Sequence, residues 1–420
     1  MPHWIEWGIL LYVICLPLRQ LPGVPWSHPK FHLTELIFLL FAPACLWVAR
    51  RNFITRRYTP YASFLIYLGA LSLSTVIARE WGGFTELAGR FYLLVVGLIM
   101  AWYVRCKGFP GLHRLLRAYQ TGIWLLGISA VLGLILLLFG RPTVLVNYYE
   151  NFPYFGSLYR VIGTSRGATP FALLSIPAAA YAWHVWRHKG PFPWLIVLFL
   201  PLWVLSFSKE VILVVPALVL VEPTVRRRPA LIVAGVAVIT ALYLFSTHFI
   251  VQRVQEVAGT VLAREEYTSG RVVGRAGGLQ MLETTYTSLK RAAWIMFREN
   301  WLLGVGADQF HERLPELAAR GLYPAHLPDY NPHSTWFGAL AQSGLVGFFG
   351  LLSFAVILYR RLANLGKNLS ADDPMWIVLG GLLAWLIASL SFDLLHLRFV
   401  WVYIGLTVGA LLLKRPPAHA

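Results

Sequence analysis

His333 is the residue around which chemistry can be built. It lies in a polar, turn-rich stretch, Tyr330-Asn331-Pro332-His333-Ser334-Thr335-Trp336, that runs straight into the apolar segment Phe337–Gly350. A neutral imidazole near pH 7 can accept a proton from an alcohol. Held at the water-facing mouth of an apolar helix, it can do so on a substrate carried in lipid. A lone histidine at a helix end also serves as a cap, which is the structural alternative. Four cations stand at ends of apolar runs or on the long polar segment before His333: Arg160, Arg166, Lys209 and Arg291. Ionisable groups at membrane depth are costly and mark function. Four cations facing one compartment suit an anionic ligand, and diphosphate fits because guanidinium grips it with two parallel hydrogen bonds. Snorkelling of each side chain to lipid headgroups is the bland counterpart.

The acids near these cations are few. Glu210, Glu265, Glu266, Asp308, Glu312, Glu316 and Asp329 form no close Asp-x-Asp pair. No Gly-x-x-x-x-Gly-Lys-Ser/Thr phosphate loop occurs, and no His/Cys/Asp cluster has metal-ligand spacing. Cys15, Cys45 and Cys106 sit in or beside apolar runs and receive no role. The expectation is metal-independent chemistry without a cofactor.

The elements that must position these residues are almost all membrane. Of 420 residues 57% are hydrophobic and 13% charged, with a mean hydropathy of +0.61, far from the roughly 25% charge of soluble chains. The expected fold is an all-α polytopic integral membrane protein, one domain over 1–420, with about twelve spans. They fall near 4–18, 33–49, 61–78, 91–105, 120–139, 168–186, 192–206, 210–222, 230–247, 334–359, 375–392 and 397–413. The N-terminus lacks the basic region of a cleavable signal, so the first apolar run is expected to remain. Trp and Tyr are abundant enough for interfacial belts.

Charge sets the expected orientation. Basic residues crowd alternate loops, from Arg50, Arg51, Arg56 and Arg57 through Arg105, Lys107, Arg114 and Arg117, Arg187 and Lys189, Arg226, Arg227 and Arg228, and Arg360, Arg361 and Lys367, to Lys414 and Arg415. The loops between them are poorer in Lys and Arg, so both termini are expected in the cytoplasm. This distribution, rather than a basic patch, accounts for the net charge of +17 and argues against a nucleic-acid partner. The long segment 248–333, between spans nine and ten, then faces the other compartment. Residues 278–299 follow a near-helical period with a basic edge, as a helix lying on a membrane surface does. Trp301-Leu-Leu-Gly304-Val-Gly306 reads as a glycine turn, and Glu312–Arg320 as a second short helix.

Taken in order, these motifs resemble the O-antigen ligase / Wzy O-antigen polymerase superfamily. Pro332-His333-Ser334-Thr335-Trp336 with Ala341-Gln342-Ser343-Gly344-Leu-Val-Gly347 resembles that family's signature at the end of its large periplasmic loop. Arg291-Ala-Ala-Trp294 through Gly306-Ala-Asp-Gln-Phe310 is similar to the segment before it. Arg160-Val-Ile-Gly163-Thr164 resembles an upstream arginine–glycine motif, and Ser208-Lys209-Glu210 a serine–basic motif. The departures are Ser334 where the family usually has Asn, Gln342 where Glu is frequent, Lys209 in place of Arg, and Tyr286 where the loop arginine usually aligns. Arg291, Arg275 or Arg271 is left to fill that last role.

The resemblance implies a bacterial inner-membrane glycosyltransferase whose site faces the periplasm. The donor would be an undecaprenyl-diphosphate-linked glycan, and the acceptor lipid A–core or another glycan, with membrane lipids as the surroundings. His333 would be the catalytic base, and Arg160, Arg166, Lys209 and Arg291 or Arg275 would hold diphosphate. O-antigen ligation in lipopolysaccharide assembly is the first reading and Wzy-type polymerisation the second. A lipid-linked glycan transporter is the rival of another class, disfavoured by the lack of an internal repeat. A structural scaffold leaves the cations unexplained.

Overall fold

The structure is a computed structural model that describes residues 1–20, 32–53, 59–152, 156–222, 225, 228–253, 268–276, 278–366 and 373–413. Arg56, Arg57, Arg226, Arg227, Glu265, Glu266, Lys367, Lys414 and Arg415 lie outside the described residues.

The chain is mostly helical. Four helices precede the first strand: α1 (His3–Ile14), α2 (Leu33–Phe53), α3 (Thr59–Ala78) and α4 (Trp81–Leu138). A hairpin comes next, β1 (Val146–Phe152) with β2 (Gly156–Val161), and then a 3-10 turn, Gly163–Ser165. Beyond it lie α5 (Ala168–Arg187), α6 (Trp194–Ser206), α7 (Lys209–Val221) and α8 (Pro229–His248). The long polar segment holds β3 (Phe249–Arg253), β4 (Thr268–Ala276), β5 (Leu279–Thr284), α9 (Thr285–Glu299), α10 (Gln309–Glu312) and α11 (Leu314–Ala319). The chain closes with α12 (Thr335–Gly366), α13 (Met375–Ala388) and α14 (Arg398–Leu412).

Each expected apolar span has a helix at its place. Among the described residues four windows, in α2, α3, α4 and α12, are long and apolar enough to cross a membrane, while others are shorter apolar helices. Large apolar side chains point outward along them, among them Leu40 at 80% exposed and Leu138 at 86%. An aqueous surface does not tolerate that much exposed hydrocarbon, and a lipid-facing one does. The fourth and fifth spans lie in two helical halves of α4 that meet directly at Gly108. α4 bends at Gly108, whose φ is 66°, just before Pro110, because proline lacks an N–H and collides with the preceding turn. Lys107 and Arg114 therefore flank a bend rather than a loop. Elsewhere small residues let helices touch: a Cβ on Gly405 of α14 would lie 2.5 Å from the Gly97 carbonyl oxygen of α4.

Two findings correct the sequence expectation. The segment 248–333 is not purely helical, because β3, β5 and β4 form an antiparallel sheet in that order. The amphipathic helix expected from 278 begins at Thr285, its first residues being strand β5. That segment also has a small core of its own, in which Leu289, Ala293, Met296, Phe310 and Leu314 pack with Ala341 of α12.

A backbone interlock joins this core to the bundle. α12 breaks at Gly344, with φ 60°, and the carbonyls freed there are taken up by the glycine turn. Val305 N–H donates to Ala341 O at 2.9 Å and Gly306 N–H to Gln342 O at 3.0 Å, while Leu345 N–H donates to Trp301 O at 2.8 Å. The approach leaves no room for side chains: a Cβ on Gly304 would meet the Gln342 backbone at 2.4 Å, and one on Gly344 the Leu302 backbone at 2.4 Å. Irregular backbone inside a membrane protein persists where its polar groups are re-paired in this way.

Candidate functional site

His333 is held in place by the three residues after it. Ser334 is 1% exposed, and its hydroxyl donates to Ser389 O at 3.3 Å. Thr335 N–H donates to the same carbonyl at 2.9 Å, and the Trp336 indole donates to the Ser389 hydroxyl at 2.8 Å. Leu394 N–H in turn donates to the Thr335 hydroxyl at 3.0 Å. The junction into α12 is thereby pinned to the α13–α14 connection. His333 adopts a φ of 47°, an uncommon value for a residue other than glycine, which such anchoring sustains.

Aromatic rings box the imidazole. Tyr286 meets it edge-on with centroids 4.9 Å apart, Tyr330 at 5.8 Å and Phe392 at 6.2 Å. The ring is half-buried, and among the described residues none hydrogen-bonds it. Burial, then the charge of Lys209, moves its pKa down from 6.5 to about 4, with Asp393 opposing and Lys290 assisting. It is an uncharged base throughout the neutral range.

Lys209 lies across the Tyr286 ring, its Nζ 4.0 Å from the centroid. The chain delivers it through a break. α6 stops at Ser206, Phe207 turns with φ 46°, and α7 begins at Lys209. The Lys209 ammonium is buried and, among the described residues, has no hydrogen-bond acceptor. Beside it Glu210, 1% exposed, accepts from the Ser208 hydroxyl at 2.7 Å and the Thr169 hydroxyl at 2.9 Å. Arg160 reaches the same break from β2, donating from Nε to Ser206 O at 2.8 Å and from Nη2 to Phe207 O at 3.1 Å. It satisfies carbonyls that a helix end leaves unpaired and stacks over Tyr149, 4.9 Å from the centroid.

The loop cation at this site is Lys290. It is 6% exposed and donates to the Tyr243 hydroxyl at 2.9 Å, with His248 Nε2 at 3.4 Å. Burial, with repulsion from Lys209, brings its pKa down to about 8. Sequence reasoning missed it, although it stands one helical turn after Tyr286 and so on the same face. Its neighbour Arg291 points the other way and pairs with Glu283 at 2.7 Å, its side chain 45% exposed. Arg271 and Arg275 are exposed on β4, and no described contact brings either to His333. Arg166 is exposed with φ 67°, and its charge acts on Arg19 and His32. Of the expected cations, then, Lys209 comes to His333 and Arg160 stands beside Lys209 and Tyr286, while no described contact brings Arg166, Arg275 or Arg291 there.

Asp393 was also missed. It receives Arg90 at 3.2 Å, His396 at 3.5 Å and Leu395 N–H at 3.1 Å. These partners hold its carboxylate far below the ordinary range. Among the described residues no three His, Cys, Asp or Glu side chains come together as a metal-ligand group.

No protein-family model and no curated protein matches this chain. A neutral base stands half-buried among three aromatic rings. One ring away lies a buried ammonium with unused donors, which is destabilising unless an acceptor arrives. The pocket can take a proton from a hydroxyl and stabilise negative charge beside it.

Proposed function

We propose that the protein is a membrane glycosyltransferase that moves a glycan from a polyprenyl diphosphate to an acceptor hydroxyl. The observation that carries this is the pairing of an unbonded, uncharged His333 with the acceptor-less Lys209 ammonium across Tyr286. In the step, a ring nitrogen of His333 takes the acceptor hydroxyl's proton as its oxygen bonds the anomeric carbon. The bond from that carbon to the diphosphate oxygen breaks, and the electron pair leaves with the diphosphate. Lys209, Arg160 and Lys290 stabilise the charge growing there. A single displacement inverts the anomeric centre. Lys209 supplies a point charge rather than a fork, and Lys290 takes the place of the loop arginine.

The setting proposed is a bacterial inner membrane, with both termini cytoplasmic and the site periplasmic. O-antigen ligation to lipid A–core is the first assignment. The test uses purified protein in detergent, labelled undecaprenyl-diphosphate glycan and lipid A–core, with and without EDTA. Transfer that survives EDTA and collapses in a folded His333→Ala variant supports the reading. Transfer to another glycan alone moves the assignment to a Wzy-type polymerase. Saturable donor binding without transfer to either acceptor replaces it with a lipid-linked glycan carrier.

A further inference from the structure

A second polar cluster lies where α1, α2, α4 and α14 converge, apart from the His333 pocket. At its centre Glu35 accepts from His32 N–H at 2.7 Å, from the Tyr92 hydroxyl at 2.9 Å and from Arg398 Nε. Tyr92 and Tyr12 share a hydrogen bond of 2.8 Å. That much is a satisfied structural network. The rest of the cluster is not satisfied. The N–H groups of Arg19 and Gln20 both donate to Thr164 O at 3.1 Å, which ties the turn after α1 to the 3-10 turn ending at Arg166. Around this tie, Arg19 Nε is buried with no partner among the described residues, as is the Thr164 hydroxyl. His32 is 3% exposed, and neither of its ring nitrogens has a partner among the described residues.

The charge does not balance either. Arg166 and Arg398 both act on Arg19 and on His32, while among the described residues Glu35 is the carboxylate that acts on them. Burial and the neighbouring guanidinium groups press His32 down to about 4 and Arg19 to about 10. Buried donors without acceptors, in a field of surplus positive charge, are what an absent oxyanion leaves behind. Arg166, exposed at the left-handed position after the turn, gives the cluster an open side.

We propose that Arg19, His32, Thr164 and Arg166 form a second anion site, which takes a phosphoryl group. Two guanidinium groups, a hydroxyl and an imidazole match its several acceptor oxygens. The site stands on this geometry whether or not the chain transfers glycans. If it does transfer them, the site seats an acidic group of the acceptor while Lys209 and Arg160 hold the donor.

The test uses the full chain in phosphatidylcholine nanodiscs, with radiolabelled inorganic phosphate as the probe. A second arm replaces part of the lipid with phosphatidylglycerol and reads thermal stability. Arg166→Gln and Arg19→Gln are compared with Lys209→Gln. Arg166 is exposed, so its variant keeps the comparison open if Arg19→Gln does not fold. The expected result is a phosphate-binding component weakened about tenfold or more by Arg166→Gln and unaffected by Lys209→Gln, as loss of a charge-assisted contact requires. If phosphatidylglycerol raises the melting temperature of wild type but not of Arg166→Gln, the site is real and its phosphoryl source is a lipid headgroup. If both arginine variants match wild type in both arms, or Lys209→Gln alone abolishes all phosphate binding, the second site does not exist.

Discussion

Lys209 meets His333 through a ring: both lie against Tyr286, the ammonium 4.0 Å from its centroid and the imidazole edge-on at 4.9 Å. The phenol keeps a cation close to a base and shields part of both from water. Tyr286→Leu removes the spacer and should admit water. With less desolvation, the His333 pKa rises from about 4 towards 6.5. The acid limb of transfer activity then shifts upward by roughly a unit or more, whereas Tyr286→Phe leaves it in place. A pH–rate profile of both variants checks this.

His333 also makes the fold sensitive to acid. Its folded pKa lies below its unfolded value, so protonation favours the unfolded chain. The stability it leaves intact above pH 6.5 is lost as pH falls through about 4. In His333→Gln this contribution to the acid slope of the melting temperature should vanish, as melts between pH 7 and 4 would reveal.

Lys290 carries a cost in stability. Burial holds it near pH 8 against an ordinary 10.5, so the fold carries a penalty at every pH below 8 that fades as pH rises to 10.5. Lys290→Met should therefore stabilise the protein at pH 7, by up to about 3 kcal/mol, and weaken donor binding. A higher melting temperature with unchanged binding would remove Lys290 from the site.

Gly304→Ala and Gly344→Ala each place a methyl group against backbone at 2.4 Å, at residues with positive φ. Nothing flexible can yield, so each should cost on the order of several kcal/mol. Combining them should not rescue the fold. Thermal melts of the single and double variants in detergent decide it.

Asp393→Asn leaves the buried Arg90 guanidinium with a weaker partner at a junction that anchors Thr335. Glu86, 2.9 Å from Arg90, keeps the guanidinium paired, so the variant loses one charge-assisted partner, about 1–3 kcal/mol, and should melt earlier even with His333 untouched. Arg90→Met with Asp393→Asn should recover part of the loss.

The helices were readable because long apolar runs admit little else, and each expected span is helical. The sheet was not. Leu279–Thr284 precedes α9 without a break in polarity, so a helical period laid over 278–299 absorbed the strand and displaced the start of the helix. That displacement hid Lys290, because which of two adjacent cations faces inward depends on where the helix begins. Arg291 looked available because Glu283, its partner, sits on the strand taken for helix. Asp393 and Glu35 escaped notice for a related reason. Charge was read by compartment, and a buried carboxylate reveals its worth only through the arginine that the fold brings from a distant helix.

The break in α12 also sets an order of assembly. Ala341, Gln342 and Leu345 emerge from the ribosome after the glycine turn they complete, so residues 301–306 wait with open hydrogen bonds until α12 arrives. The histidine is translated between these two halves. Its surroundings are finished only when a later helix closes on an earlier loop, and a chain stalled short of that point carries the histidine but not the pocket.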